Sequence, residues 1–206
     1  MLKGGMGSTG KIKFMGTEGR NDGIMDFAQV LKYCRTDRRI LKLLSIDAIV
    51  GFCTLSINLS FYPFAFDFLK VTAKGWSLII TIYYGTNLAA MLLMRLVAKR
   101  LKGTEMLYEC LLLVSIIWLI YAFTRNFAFV LLMQFIEGTL LSACGIIIAA
   151  GFQRIVEKRY IARVSALNAL IISIGKLAGM GCMTVIMQGV SFYGVFIFCS
   201  IMVSVV

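Results

Sequence analysis

Two long apolar runs on either side of a short cationic loop constrain this chain more than any other feature. The stretch from Phe127 to Met187 reads FAFVLLMQFIEGTLLSACGIIIAAG, then the basic loop FQRIVEKRYIAR, then VSALNALIISIGKLAGMGCMTVIM. An apolar helix of about 20 residues crosses the roughly 30 Å hydrocarbon layer of a bilayer. Each run is longer than a soluble core requires, so this pattern predicts a membrane environment.

Composition supports this prediction and excludes soluble, secreted and DNA-binding classes. Hydrophobic residues make up 60% of the 206 residues, against about 45–50% in a soluble domain. The mean hydropathy is +0.88. The net charge of +11 resides largely in short loops between apolar blocks, which is how membrane proteins retain cytoplasmic loops and not a nucleic-acid-binding pattern.

The blocks predict an all-α, polytopic membrane protein. Residues 1–22 contain no apolar signal-peptide core and are interpreted as a flexible cytoplasmic tail. Residues 23–39 combine helical apolar spacing with a basic end, which indicates an amphipathic interfacial helix, or equally a solvated connector helix. Residues 40–206 are predicted to form a six-helix transmembrane domain, with helices at about 40–69, 75–94, 106–123, 127–151, 164–187 and 190–206.

The distribution of Lys and Arg predicts the orientation. Thirteen basic residues lie just before the first helix and in the second and fourth loops, against three on the opposite side. The positive-inside rule therefore places both termini in the cytoplasm of a multi-pass plasma-membrane protein. Trp118 and Tyr121, near the predicted outer end of the third helix, are typical of an aromatic belt.

Neither a metal site nor an enzyme is indicated. The six cysteines include no CxxC pair, histidine is absent, and five of the cysteines lie in apolar blocks, so they are interpreted as small buried hydrophobes. No HExxH, GxSxG or paired-aspartate motif occurs. We therefore expect no cofactor, no metal and no enzymatic activity.

Four polar residues inside the predicted spans are candidates for a proton or substrate site, because charges at this depth are costly. Glu137 and Lys176 fall near the midplane, where an ion pair between them is geometrically allowed. Glu137 either exchanges a proton or forms a fixed structural pair. Asp47 either has a functional role or reaches water or Lys42, and Asn87 either bonds a ligand or a neighbouring helix.

Small residues recur four positions apart on three of the predicted helices. Such rows allow close helix packing in lipid, and packing is favoured here over a substrate path. The pairs are Gly85 with Ala89, Gly138 with Ser142, Gly145 with Ala149, and Gly175 with Gly179.

The second loop and the last two long helices resemble the major facilitator superfamily. GTNLAAMLLMRLVAKRLKG resembles the superfamily's G-x-x-x-D-R-x-G-R-R loop motif, with basic residues at Lys99, Arg100 and Lys102 but Ala98 in place of the aspartate. In the fourth loop Arg159 and Arg163 match an R-G-R pattern, with Glu157 where proline is usual. The opening DFAQVLKYCRTDRRILKLLSIDAIV is similar to the entry to the seventh helix of macrolide- and siderophore-exporter-like members.

This resemblance covers about residues 24–206 and implies the C-terminal six-helix half of a twelve-helix exporter. It implies a half-sized or truncated secondary transporter, which exports small amphipathic compounds by proton-driven alternating access. Its partners would be the lipid bilayer, the substrate, protons, and either a second six-helix half or a second copy; no nucleic acid is expected. The alternative is a non-transporting remnant or helper subunit that binds a partner within the bilayer. An ATP-driven permease is disfavoured by the short loops.

Overall fold

The structure is all-helical over the residues that it describes. The computed structural model describes residues 29–97, 103–186 and 191–205, and within them every regular element is a helix. This confirms the all-α prediction. The predicted tail at 1–22 lies outside these residues, as does the beginning of the predicted interfacial helix. The helices are α1 (29–36), α2 (Arg38–Pro63), α3 (Ala73–Val97), α4 (Gly103–Tyr121), α5 (Phe127–Ile155), α6 (Ile161–Ile186) and α7 (Phe192–Ser204).

Four segments of the described chain are long and apolar enough to cross a membrane. They are Arg38–Phe68, Ala73–Leu93, Phe127–Ile155 and Ile161–Ile186. α7 is apolar but has only 13 residues, or about 20 Å at 1.5 Å per residue. A polytopic membrane protein is therefore supported. The predicted count of six spans is supported for four of the helices.

Asp37 and Pro63 set the limits of α2. The Asp37 side chain accepts a hydrogen bond from the backbone N–H of Arg39, which satisfies one of the free donors at the helix start. Pro63 has no N–H and crowds the preceding turn. The chain widens after it into a π-helical turn at Phe64–Phe68, in which the Leu69 N–H bonds Phe64 O at 3.0 Å. The kink expected at Pro63 thus takes the form of a change in helix type.

The bundle has an inner group of helices and two outer helices. α4 packs against α5 and α7, and α2 packs against α7 and α5. α3 packs mainly on α5, and α6 packs mainly on α2. α3 and α6 therefore present long faces to their surroundings, on which Leu88, Leu92, Ile174 and Leu177 are exposed.

Glycines allow the outer helices to approach the inner ones. A Cβ added at Gly179 would lie 2.6 Å from Phe52 O on α2, and one at Gly175 would lie 2.9 Å from Ala48 O. On the other side of the bundle, a Cβ at Gly138 would lie 2.8 Å from Tyr83 O on α3. These distances support the packing interpretation for three of the small residues predicted from the sequence.

One end of the bundle is closed by α1. The ring of Tyr33 on α1 stacks on Tyr160 with centroids 4.7 Å apart, and its hydroxyl accepts a hydrogen bond from the Glu157 N–H. Val30 and Cys34 are buried against the core. This end carries the loop between α5 and α6, and a polar cavity opens near it.

Candidate functional site

Glu137 is enclosed in the centre of the bundle. It lies on α5, and only 3% of its surface is exposed. Its two carboxylate oxygens accept hydrogen bonds from α4: Trp118 Nε1 donates to Oε1 at 2.7 Å, and the Tyr121 hydroxyl donates to Oε2 at 2.7 Å. The spacing of three residues places both donors on one face of α4. The carboxylate is thus held by two neutral donors.

Aromatic side chains surround this acidic centre. Trp118 and Tyr121 are both 0% exposed, and the Phe61 ring packs edge-on against Tyr121 with centroids 4.9 Å apart. The rings exclude water, which strengthens the hydrogen bonds to the carboxylate and makes their loss costly. The expected aromatic belt is therefore wrong for Trp118 and Tyr121, whose polar atoms bond Glu137 in the interior.

Glu137 and Lys176 do not meet. Each oxygen of Glu137 accepts a hydrogen bond from α4, and no ion pair joins Glu137 to Lys176. Lys176 lies on α6 with its stem beside Gly51 of α2, and the residue as a whole is exposed. The hypothesis of an ion pair between the two is therefore wrong, because α6 packs mainly on α2 and contacts α5 only slightly.

Asp47 forms a second polar centre, between α2 and α6. Its Oδ2 accepts a hydrogen bond of 2.7 Å from Nδ2 of Asn168. The stem of Lys176 lies beside Gly51, one helix turn from Asp47 on α2. Asp47 is half-buried, and its partner, Asn168, lies about two helix turns before Lys176 on α6. Neither water nor Lys42 is needed to explain its position.

A cavity of about 310 Å³ opens beside Asp47. Its polar lining comes from Asp47, Gln153, Ser165 and Asn168, and helices α2, α5 and α6 all contribute to its walls. Gly145 and Ala149 also line it, and a Cβ added at Gly145 meets nothing within 4 Å. This small-residue pair thus borders open space, whereas Gly138, Gly175 and Gly179 pack against helices.

Asn87 bonds a neighbouring helix. Its Oδ1 lies 2.7 Å from the Ser142 hydroxyl of α5, which also lies 2.9 Å from Gly138 O. This arrangement ties α3 to α5 beside their closest approach. It matches the structural interpretation of Asn87.

The predicted loop motif is only partly described. Lys99, Arg100 and Lys102 lie outside the described residues. Arg159 donates a hydrogen bond of 2.8 Å to the Tyr160 hydroxyl, and its guanidinium carbon lies 4.9 Å from the Tyr160 ring centroid. Arg163, at the start of α6, is also engaged in an interaction. Arg159 therefore supports the closed end formed by Tyr33 and Tyr160.

Sequence reasoning missed Asn168, Trp118 and Tyr121 as partners of the two acids. The spacing of Trp118 and Tyr121 on one helix face was a usable signal, whereas nothing local marks Asn168 as the partner of Asp47. All six cysteines are free thiols, and only Cys182 is exposed. Among the described side chains, no group of three or more His, Cys, Asp or Glu residues could hold a metal ion.

Comparison with protein-family models, with curated proteins and with solved structures finds no match to this chain.

Proposed function

We propose that this chain is one six-helix half of a secondary transporter of the major facilitator type. The observation that carries the proposal is a repeat in how the helices pair. The helices form two sets of three, α2–α4 and α5–α7, and each helix of the first set corresponds to one of the second: α2 to α5, α3 to α6 and α4 to α7. When corresponding helices are exchanged, the α2–α6 pair becomes the α5–α3 pair, and the α4–α5 pair becomes the α7–α2 pair; both of these pairs are also present. The α4–α7 pair maps onto itself. The principal pairings therefore form a closed set under this exchange.

Such a repeat fits a transporter half. Successive spans alternate in direction, so two repeats of three spans have opposite orientations. Nested inverted repeats of three helices are characteristic of each half in this superfamily, and alternating access follows from movement of one half against the other. In this proposal α4 and α7 complete a set of six spans.

Glu137 is the proposed proton-exchanging residue. It is a buried carboxylate held by two neutral donors, Trp118 and Tyr121. Ionisable side chains within membrane helices are costly to bury, and those that are present often mark proton pathways. Protonation at Oε2 would turn this oxygen into an O–H donor, and the Tyr121 hydroxyl would then accept the hydrogen bond that it now donates. The charge state of Glu137 would then act directly on the contact between α4 and α5.

The position of Lys176 supports a partner for the bundle. The residue is exposed near the middle of α6, and an ammonium group facing lipid at this depth costs a few kcal/mol, on the order of 3 on insertion scales. A water-filled cleft beside a second six-helix half, or beside a second copy, removes this cost. Small and polar neighbours on the same helix, Ser173 and Ala169, are exposed as well.

Transport is tested in proteoliposomes with an imposed pH gradient. The full chain is assayed for movement of the hydrophobic cation ethidium, alone and together with any second six-helix half that a neighbouring reading frame encodes. The Glu137→Gln variant is assayed in the same way. Proton-driven flux that the substitution abolishes supports the proposal. Thr139→Ala is the matched control, because the hydroxyl of this residue on the same helix bonds only Phe135 O within α5. Flux with unchanged pH dependence in Glu137→Gln contradicts the proton role.

Topology is tested with reporters inserted in the loop at 122–126 and in the loop at 156–160. A plasma-membrane protein with cytoplasmic termini gives cytoplasmic reporter activity at the second position and none at the first. The reverse pattern overturns the orientation.

The exposed faces of α3 and α6 also suit a second function, that of a non-transporting subunit which binds a partner in the bilayer. This alternative predicts a stable complex with a membrane partner and no ethidium flux in any combination of chains. A pH-gradient-driven flux in the wild-type protein excludes it.

A further inference from the structure

An unused hydrogen-bond acceptor lies in the wall of the cavity beside Asp47. Asn168 gives its amide N–H to Asp47, while its Oδ1 is buried and accepts no hydrogen bond. A buried acceptor without a partner is costly. The last torsion of an asparagine side chain lies in a broad energy well, and Asn168 lines the cavity, so rotation about this torsion can present Oδ1 to a ligand there.

The cavity carries acceptors and a negative charge. Asp47 is acceptor-only when ionised, and Asn168 adds a carbonyl oxygen beside it. Lys176 lies nearby, beside Gly51 of α2, but it belongs to the exposed face of α6 and does not line the cavity. A ligand that supplies N–H donors and a positive charge would satisfy both acceptors.

The size of the cavity indicates an organic ligand. Its volume is about 310 Å³, whereas one water occupies roughly 30 Å³ of liquid. A single metal ion would leave most of this space unfilled. Small-molecule sites begin at about 300 Å³. Ile148 and Phe152 form an apolar wall against which a short carbon skeleton can pack.

We propose that this cavity binds a small organic cation through a primary ammonium or guanidinium group. Asp47 accepts one N–H bond and Asn168 accepts another, while the skeleton lies along Ile148 and Phe152. Two acceptors require two N–H donors on the ligand, so a quaternary ammonium of similar size binds poorly. The site is distinct from Glu137 and does not depend on transport.

The binding experiment uses the full chain in phosphatidylcholine nanodiscs and calorimetric titration. Benzylamine is the probe, and benzyltrimethylammonium is its counterpart without N–H donors. Benzylamine is expected to bind at least about tenfold more tightly, since a hydrogen bond to a charged group changes affinity by about ten- to a hundredfold. Equal affinity for the two compounds overturns the proposal.

Two variants locate the binding site. Asp47→Asn removes the charge and is expected to weaken benzylamine binding by about ten- to a hundredfold. Gly145→Leu places a side chain in the cavity and is expected to abolish binding, and the first atom of that side chain has room, since a Cβ there meets nothing within 4 Å. Gly181→Leu is the matched control, because Gly181 is equally open but lies away from the cavity. Unchanged binding in Gly145→Leu, with native helix content by circular dichroism, overturns the assignment.

The same ammonium chemistry could come from the ethanolamine headgroup of a lipid. In phosphatidylethanolamine nanodiscs a headgroup in the cavity would lower the apparent affinity for benzylamine. Native mass spectrometry would then show this lipid retained by the wild type and lost from Asp47→Asn, which supports the proposal with a lipid as ligand. Benzylamine binding that is the same in both lipids supports a soluble amine. No benzylamine binding in phosphatidylcholine together with no lipid retention overturns the proposal.

Discussion

The two acids of the bundle, Glu137 and Asp47, are placed in opposite circumstances. Glu137 is 3% exposed, and each of its oxygens has a donor at 2.7 Å. Asp47 is half-buried, has one asparagine partner, and borders a cavity of about 310 Å³. The first centre is closed and has a donor on each carboxylate oxygen, whereas the second is open and leaves Asp47 Oδ1 and Asn168 Oδ1 without a donor.

This difference in hydrogen bonding and access suits the two centres to different roles. A closed centre transmits a change of charge to the helices that hold it, because its partners must rearrange when a proton arrives. An open centre can admit a ligand without disturbing the helix contacts. A residue's charge alone therefore does not define its role in a membrane bundle, and the satisfaction of its hydrogen bonds is the better guide.

The largest effect is expected from Glu137→Ala. It leaves the Trp118 N–H and the Tyr121 hydroxyl without an acceptor, and each orphaned donor costs about 1–3 kcal/mol. We expect a loss of about 2–6 kcal/mol in the free energy of unfolding, measured by SDS titration in mixed micelles. Glu137→Gln keeps an acceptor for Trp118 and should cost far less. Equal losses in the two variants would show that the hydrogen bonds do not hold α4 and α5 together.

The next effect is expected from Gly179→Ala. The added methyl group would lie 2.6 Å from Phe52 O, so α6 must move away from α2 at a cost of about 1–3 kcal/mol. Gly181→Ala, where the methyl group meets nothing within 4 Å, is the control. If both variants unfold at the same SDS concentration, the close approach of the helices is wrong.

A smaller effect is expected from Asp47→Ala. The substitution breaks one hydrogen bond at a half-buried position, which is worth about 0.5–1.5 kcal/mol, and the freed Asn168 amide can reach the cavity. The same SDS titration should therefore separate this variant from Glu137→Ala. A loss as large as that of Glu137→Ala would remove the distinction between an open and a closed centre.

The smallest effect concerns Cys34, on α1, the helix that closes one end of the bundle. Burial raises the pKa of the Cys34 thiol, so less thiolate is present at neutral pH and maleimide should react slowly. The rate should rise with pH as the thiolate fraction increases. Tyr33→Ala removes the stacking on Tyr160 and should increase the rate at every pH, as followed by mass spectrometry. Phe129→Ala, on the far part of the molecule, is the control and should leave the rate unchanged.

Much of the fold follows from the sequence because apolar blocks of this length have few alternatives in a membrane. The lengths of Phe127–Ile155 and Ile161–Ile186 and the basic loop between them already predict two spans. The partners of Glu137 and Asp47 could not be predicted in the same way. Both depend on which helices are neighbours, and Asn168 lies 121 positions from Asp47 in the chain.

The helix change at Pro63 is a local example of a feature that the sequence predicts only in part. The sequence predicts a disturbance, because proline removes a backbone donor. Whether the helix bends or widens depends on tertiary packing. Here Phe64 packs on Phe196 with centroids 5.4 Å apart, and the widened turn keeps that ring in the core.

The pairing of the helices has a consequence for biosynthesis. The principal partners of α2, α3 and α4 are α5, α6 and α7, and no principal pairing joins two of the first three helices. When synthesis has reached only the end of α4, the three helices α2, α3 and α4 are in the bilayer but their principal packing partners have not yet been made. At about 5–20 residues per second, several seconds pass before α5 arrives to gather α3 and α4. During that interval the translocation machinery or an insertase has to shelter the early helices, so assembly of this bundle is delayed until the second half of the chain is made.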